Sequence, residues 1–407
     1  MEPEKFLEEA SALQETIVKN RRFLHTHAET GFDLKDTLEF VKKELESMGY
    51  SPVQCGKAGL VALAGGKKEG KTFLIRGDMD ALPVKEEAEV DFACTNGRMH
   101  ACGHDMHTAM LLGAAKLLKA HEDEIEGTVK LMFQPAEEIF EGSQDMIKSG
   151  LLKNPDVDGA LMIHVMAGMP FEPGTVIVSP AGVSAPAADY FEIKVKGKGC
   201  HGSMPNTGAD PVNAAAHIII ALQEISAREL AINDHAVLTI GTVNAGTAAN
   251  VIPDSVTLGG SLRTFDEETR GFIKERMTEI AENTAKTFRT EATVEFGSGC
   301  PTLNNDKELT VCALKYVREL LGEKKAFSAE QMSAAGGGKQ SKTAGSEDFA
   351  YVSQEVPSVM LALAAGQPDK GYIYPQHHPK VKFDENALAG GSAVYAYTAM
   401  RWLEEHK

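Results

Sequence analysis

The chain sets a thiol and an imidazole two residues apart, in Met99-His100-Ala101-Cys102-Gly103-His104-Asp105. In an extended segment residues i and i+2 point to the same side. Cys102 and His104 can therefore converge on one point, and both are ligands for zinc-like metals. An apolar run from Ala109 to Leu118 follows at helical spacing, so the pair lies in a loop feeding a helix. Further donors recur after apolar runs. Asp78 and Asp80 follow Phe73-Leu74-Ile75, Glu137 and Glu138 follow Val129–Phe133, and His164 follows Ala160–Ile163. His377 lies in Gln376-His377-His378-Pro379, beyond the run Val359–Ala364. Each residue alone has an ordinary explanation: a turn cap, a solvated acidic face, a satisfied core histidine. Together, Cys102, His104, Glu138, His164 and His377 supply five S, N and O donors. One catalytic zinc takes three or four protein ligands, so the set implies two metals sharing a bridge. Of the adjacent Glu137 and Glu138, one would bind metal. The other would deprotonate the attacking water and then protonate the leaving amine. Asp80 would hold a ligand or Glu137 in orientation. His25 and His27 have ligand-like spacing but read better as surface or capping histidines at a helix end.

The elements that carry these residues alternate. Residues 5–24 read as one amphipathic helix and 35–48 as a second, ending at Gly49. Strands and helices then alternate through His164, which implies a mostly parallel sheet with helices on both faces. Ligands bind such sheets outside the carboxyl ends of the strands, where the candidate donors lie. The pattern changes near Pro186. Strands at 190–195, 237–243, 256–262 and 292–296 enclose helices at 210–229 and 267–288, a βαββαβ, ferredoxin-like order. Residues 1–185 and 300–407 thus form a metal-binding domain, with 186–299 inserted. Helices at 306–321 and 385–404 complete the first domain. The glycines in Ser333-Ala334-Ala335-Gly336-Gly337-Gly338 read as a surface loop, because no strand precedes them as a phosphate-binding motif requires.

Composition narrows the function classes. Forty-one basic against 58 acidic residues give a net charge of −17, unsuited to nucleic acid or anionic membrane. No apolar stretch reaches the roughly 18 residues of a membrane span, and the acidic start lacks signal-peptide order. Six cysteines without regular spacing suggest reduced thiols and a cytoplasmic protein. No internal repeat of about 20–50 residues is visible.

The chain resembles the metal-dependent aminoacylase and carboxypeptidase family. Its likeness is to the amidohydrolase branch of hippurate hydrolases, N-acetyl-diaminopimelate deacetylases and auxin-conjugate hydrolases. The resemblance spans nearly the whole chain. It rests on Arg76-Gly77-Asp78-Met79-Asp80-Ala81-Leu82-Pro83, His100-Ala101-Cys102-Gly103-His104-Asp105 and Gln134-Pro135-Ala136-Glu137-Glu138. It continues through His164, Gly197-Lys198-Gly199-Cys200-His201-Gly202, Asn250-Val251-Ile252-Pro253-Asp254, Arg263, Ser346-Glu347-Asp348-Phe349 and His377-His378-Pro379. It implies that Cys102, His104, Glu138, His164 and His377 bind two divalent ions, of zinc, manganese, cobalt or nickel. It further implies Glu137 as general base, Asp80 as supporting carboxylate and His201 as the lid histidine that polarises the scissile carbonyl. Asn250 and Arg263 resemble substrate-holding groups, and the inserted domain resembles a lid and dimerisation surface. Asp78 stands where the carboxypeptidase branch has a metal-binding histidine, so it is left out of the ligand set. Three departures touch no ligand: His27-Ala28-Glu29 replaces His-Pro-Glu, Glu141-Gly142-Ser143 replaces Gly-Gly-Ala, and Pro205-Asn206 replaces Pro-His.

The expectation is a homodimeric amidohydrolase that cleaves N-acyl amino acids to a carboxylate and a free amino acid, using metal-activated water. A dipeptidase or carboxypeptidase is the alternative. A non-catalytic binding protein on the same fold is the rival class, opposed by Glu137 beside a full donor set.

Overall fold

The computed structural model describes residues 2–335 and 345–407. So far as these residues extend, two compact units form. One takes in Met1–Ser184, Asn304–Lys342 and Asp348–Lys407; the other takes in Ala185–Leu303 and Thr343–Glu347.

The first unit is built on an eight-stranded sheet. Its spatial order is Val53–Cys55, Gly59–Gly65, Thr128–Gln134, Thr72–Asp78, Gly159–Met166, Ser358–Ala364, Val176–Val178, Ala326–Ser328. The four central strands, from Thr128–Gln134 to Ser358–Ala364, run parallel, as expected for alternating β and α elements. Thr72–Asp78 is buried along its whole length, which explains its continuous apolar start. Parallel register sets Asp78 opposite Gln134, so two strands end level and the loops that follow them meet. The helix His104–Ala120 buries nearly every residue against Gln14–Thr26 and Leu388–Glu405, so beyond its polar first turn it is apolar on nearly every side, Lys116 excepted.

The second unit has the order β-α-β-β-α-β. Ala187–Lys196, Ala236–Ala245, Ser255–Thr264 and Glu291–Cys300 form one antiparallel sheet, with Ala236–Ala245 on one edge. Helices Pro211–Ala221 and Glu267–Thr287 pack against it around Phe191, Ile193, Leu258, Ile218 and Met277. Asp210 and Asp266 cap the two helices through backbone N–H groups of the first turns.

Several local expectations need correction. The first helix is two, Pro3–Ala12 and Gln14–Thr26, hinged at Leu13. The amphipathic pattern runs across the break, and no glycine or proline marks it. The short strands Val53–Cys55, Val176–Val178 and Ala326–Ser328 owe their state to sheet partners, beyond the reach of local pattern. The helix expected over 210–229 is regular only to Ala221. Ser333, Ala334 and Ala335 end a helix, Ala329–Ala335, in place of the expected loop. Gly336, Gly337 and Gly338 lie outside the described residues.

Candidate metal centre

Backbone constraints bring the thiol and the first imidazole together. Gly103 has φ 93° and precedes the helix His104–Ala120. A Cβ there would sit 2.4 Å from Val165 Cγ2, so both conformation and space require glycine. The Glu137-Glu138 loop is also tightly turned. Ala136 is left-handed at φ 55°, and a Cβ on Gly142 would meet the Pro135 carbonyl oxygen at 1.6 Å.

The buried Asp80 fixes that loop. Its two carboxylate oxygens accept the backbone N–H groups of Glu137 at 3.0 Å and Glu138 at 3.2 Å. Its carbonyl oxygen accepts Nδ1–H of His104 at 2.8 Å. That bond leaves Nε2 of His104 as the outward lone pair. Nε2 is buried without a hydrogen bond, 3.4 Å from Asp78 Oδ2, 3.9 Å from Glu137 Oε2 and 3.8 Å from Glu138 Oε1. His164 is oriented the same way: its Nδ1–H donates to the Val165 carbonyl at 2.7 Å, and Nε2 faces Cys102 Sγ at 3.5 Å. His164 lies inside its strand, two residues short of the end expected for it, opposite Ala362. His377, left-handed at φ 66°, donates its backbone N–H to the Ala101 carbonyl at 2.9 Å. Its Nε2 lies 3.7 Å from Glu138 Oε2.

The donor atoms of Cys102, His104 and His164 lie within 4.8 Å of one another, and so do those of Cys102, Glu138 and His377. Cys102 belongs to both groups. A soft sulfur, three imidazoles and a carboxylate suit a zinc-class ion and not magnesium or calcium. Local electrostatics also favour a cation. Burial alone would lower the His104 imidazole, yet Asp78 and Cys102 outweigh it and hold His104 well above the usual histidine range. Burial, then the Glu138 carboxylate, push the Cys102 thiol upward. A positive charge among these groups relieves both. The residues therefore fit the two-metal expectation.

Asp78 borders the centre, in a further donor group with His104 and His107. Arg76 holds its Oδ2 at 2.7 Å and His107 its Oδ1 at 2.6 Å. His107 was missed by sequence reasoning, although its position one helical turn after His104 was a signal. Its Nε2 accepts the Val165 N–H at 2.9 Å, so Nδ1 carries the proton given to Asp78. His25 is corrected as well. It is buried, with Nδ1 2.9 Å from Asp105 and Nε2 3.0 Å from Glu86, while Arg21 Nε donates to Asp105 at 2.6 Å. His27 does cap its helix, through the Phe23 carbonyl at 2.8 Å.

The remaining candidates lie in the second unit. His201 is exposed and pairs with Val251 in a two-residue ladder; Asn250 accepts the Gly202 N–H through its carbonyl. Both lie beyond the Lys196–Ser255 end of the main ladder. Arg263 lies at the other end, opposite Ala188, and donates to Ser346 Oγ. Ser255 and Arg263 are eight positions apart along the strand, roughly 25 Å. Along this sheet His201 and Asn250 share one end, and Arg263 takes the opposite one.

Comparisons with known proteins agree with this chemistry. The chain matches "Peptidase family M20/M25/M40" over residues 74–401. It is 37% identical over 399 residues to IAA-amino acid hydrolase ILR1-like 2 of Arabidopsis thaliana, covering 96% of this chain and 85% of that one. It is 34% identical over 400 residues to N-acetyl-L-cysteine deacetylase of Bacillus subtilis, covering 98% and 90%. Among solved structures, a dinuclear metal-binding peptidase of the M20 family from Bacillus subtilis superposes with TM-score 0.77 at 32% identity, covering 97% of this chain and 99% of that one. This chain belongs to peptidase family M20/M25/M40.

Proposed function

We propose that the chain is a metal-dependent amidohydrolase that cleaves N-acyl amino acids to a carboxylate and a free amino acid. One observation carries the reading: a single buried carboxylate, Asp80, ties down both glutamates beside two donor groups that share Cys102. Cys102, His104, Glu138, His164 and His377 would hold two divalent ions of zinc, manganese, cobalt or nickel. Such ions supply Lewis-acid polarisation of the scissile carbonyl and a nucleophile at neutral pH. Glu137 takes the proton of the attacking water and delivers it to the departing amine nitrogen, so one carboxylate serves both transfers. Asp80 keeps Glu137 aimed by gripping its backbone. His201 donates toward the carbonyl oxygen as charge develops there. Arg263 pairs with the substrate carboxylate, and Asn250 helps hold the substrate.

The second unit would serve as lid and dimerisation surface. Its edge strand Ala236–Ala245 exposes Val237 and Val243, and the neighbouring helix exposes Val212 and Ile220. An open edge with apolar side chains invites pairing with its counterpart in a second copy. A small acyl amino acid is far shorter than the interval between Arg263 and the His201 end of the ladder. In a homodimer, His201 and Asn250 of one copy can serve the site of the other. No helix of the described residues is long and apolar enough to cross a membrane. All six cysteines are free, which supports a cytoplasmic setting.

The test is a mass-spectrometric screen of acyl-amino acids and dipeptides on protein of measured metal content. Release of free amino acid from acyl-amino acids supports the reading. Turnover of dipeptides alone would move the chain to the dipeptidase alternative, and no turnover of either would defeat it.

A further inference from the structure

The second unit carries a groove of about 460 Å³ that the proposed reaction does not use. Lys196, Lys198 and Arg289 line it with Asn206, Thr207 and a single acid, Glu291. Gly197, Gly208 and Ala209 also line it, where backbone segments approach closely. A Cβ on Gly197 would meet the Ala209 carbonyl at 2.3 Å, and one on Gly208 the Lys198 carbonyl at 2.4 Å.

Several cations elsewhere in this unit are matched with acids. Lys194, two residues before Lys196 on the same strand, reaches Glu295 at 2.8 Å and Glu192 at 3.2 Å. Arg270 and Lys274 both hold Asp189, and Arg276 holds Glu229. Among the described residues, no ion pair engages Lys196, Lys198 or Arg289. Arg289 instead donates from Nη2 to the Gly208 carbonyl at 3.3 Å. Glu291 lies across the ladder from Lys196 without closing an ion pair. In a chain of net charge −17, a three-cation groove facing one acid is a local reversal of sign.

We propose that this groove binds an oxyanion of the phosphate class, as free phosphate or a phosphomonoester. Ammonium groups and a guanidinium meet phosphoryl oxygens as charge-assisted donors, and the Asn206 amide and Thr207 hydroxyl add neutral ones. The site bears on the loop that begins at His201. Lys198 and Ala209 close that loop in a backbone bridge, with N–H to carbonyl bonds of 2.9 and 3.0 Å in the two directions. Asn206 and Thr207 lie within the loop; Lys196, Lys198 and Arg289 lie outside it. An anion touching both sets ties the loop to the sheet and slows its motion.

Two readouts independent of turnover test this on the metal-loaded protein. The first is the rate at which an amine-acylating reagent modifies each lysine, resolved by mass spectrometry at constant ionic strength. Inorganic phosphate at ten times its dissociation constant should slow Lys196 and Lys198 about tenfold, with Lys194 unchanged. Arg289→Gln should weaken that protection while the other lysines keep their rates. Glycerol phosphate as a second probe separates the sources: stronger protection than by phosphate assigns a phosphomonoester, and equal protection assigns the phosphoryl group alone. The second readout is amide hydrogen exchange across 202–207, which phosphate should slow. Equal acylation with phosphate and with matched chloride would overturn the site. Protection without slower exchange would overturn its action on the loop.

Discussion

The two units hold their candidate residues in opposite ways. In the first, a second bond orients His104 through the Asp80 carbonyl and His164 through the Val165 carbonyl, and the Asp80 carboxylate holds the backbone of the glutamate pair. In the second, His201 is exposed, and among the described residues its ring hydrogen-bonds only with the neighbouring Ser203. Asn250 takes part there through its backbone carbonyl, and Arg263 through Ser346. Donors for a cation need finished geometry, since a misplaced ligand leaves a buried polar atom unsatisfied. Groups that recognise substrate can complete their geometry when it arrives. The contrast separates residues held in place by the fold from residues left to complete their contacts when substrate arrives.

Glu137→Gln should show the largest effect. It keeps volume and removes the proton acceptor, so kcat should fall by at least about 10²–10⁴-fold. Metal content by elemental analysis should stay near wild type; turnover near wild type would break the assignment. His201→Ala should come next, lowering kcat by roughly 10²–10³-fold with little change in KM. Mixing it with Glu137→Gln sharpens the comparison. If His201 serves the other copy, reassorted dimers should recover roughly a quarter of wild-type activity; no recovery places His201 in its own chain's site. Asp80→Asn should cost about 10–100-fold in activity or metal affinity, because it loosens two backbone N–H groups and touches no substrate. Arg263→Ala should raise KM by roughly 10-fold or more, the worth of a charge-assisted bond, and leave kcat nearly intact. Its preference for a carboxylate substrate over the methyl ester should vanish; a preserved preference gives that role to another residue.

The smallest expected effect concerns stability and acid. Burial alone would raise the Asp189 carboxyl, but hydrogen bonds from Arg270 and Lys274 prevail and hold it below the usual range. A folded value below the unfolded one stabilises fully above the unfolded pKa of about 3.9. That contribution drains away as pH falls through the folded value. Urea midpoints followed from about pH 5 downward should fall less steeply in Asp189→Asn than in wild type. Parallel curves would assign the acid sensitivity elsewhere.

Much of the architecture was legible because it is written locally. Apolar runs ending in Asp78-Met79-Asp80, in Glu137-Glu138 and at His164 announce strands of an α/β sheet with donors toward their carboxyl ends. The family was legible in the same motifs. Partnerships across the chain were not. Nothing near Asp78 announces that His107, 29 residues on, takes one of its oxygens, and nothing near His25 announces Asp105, 80 residues away. Short strands such as Val53–Cys55 exist by virtue of their partners. The separation of His201 from Arg263 depends on strand register, which no motif records.

His377 carries a consequence for how such a chain ages under mutation. Its backbone is left-handed, a conformation that costs a side-chain-bearing residue roughly 1–2 kcal/mol and glycine almost nothing. Half of its side chain is open to solvent, so its imidazole adds little packing in return. If His377 is the fifth donor proposed above, position 377 released from that duty would drift toward glycine or asparagine. A relative that had given up hydrolysis would betray the fact there first, with its fold undisturbed.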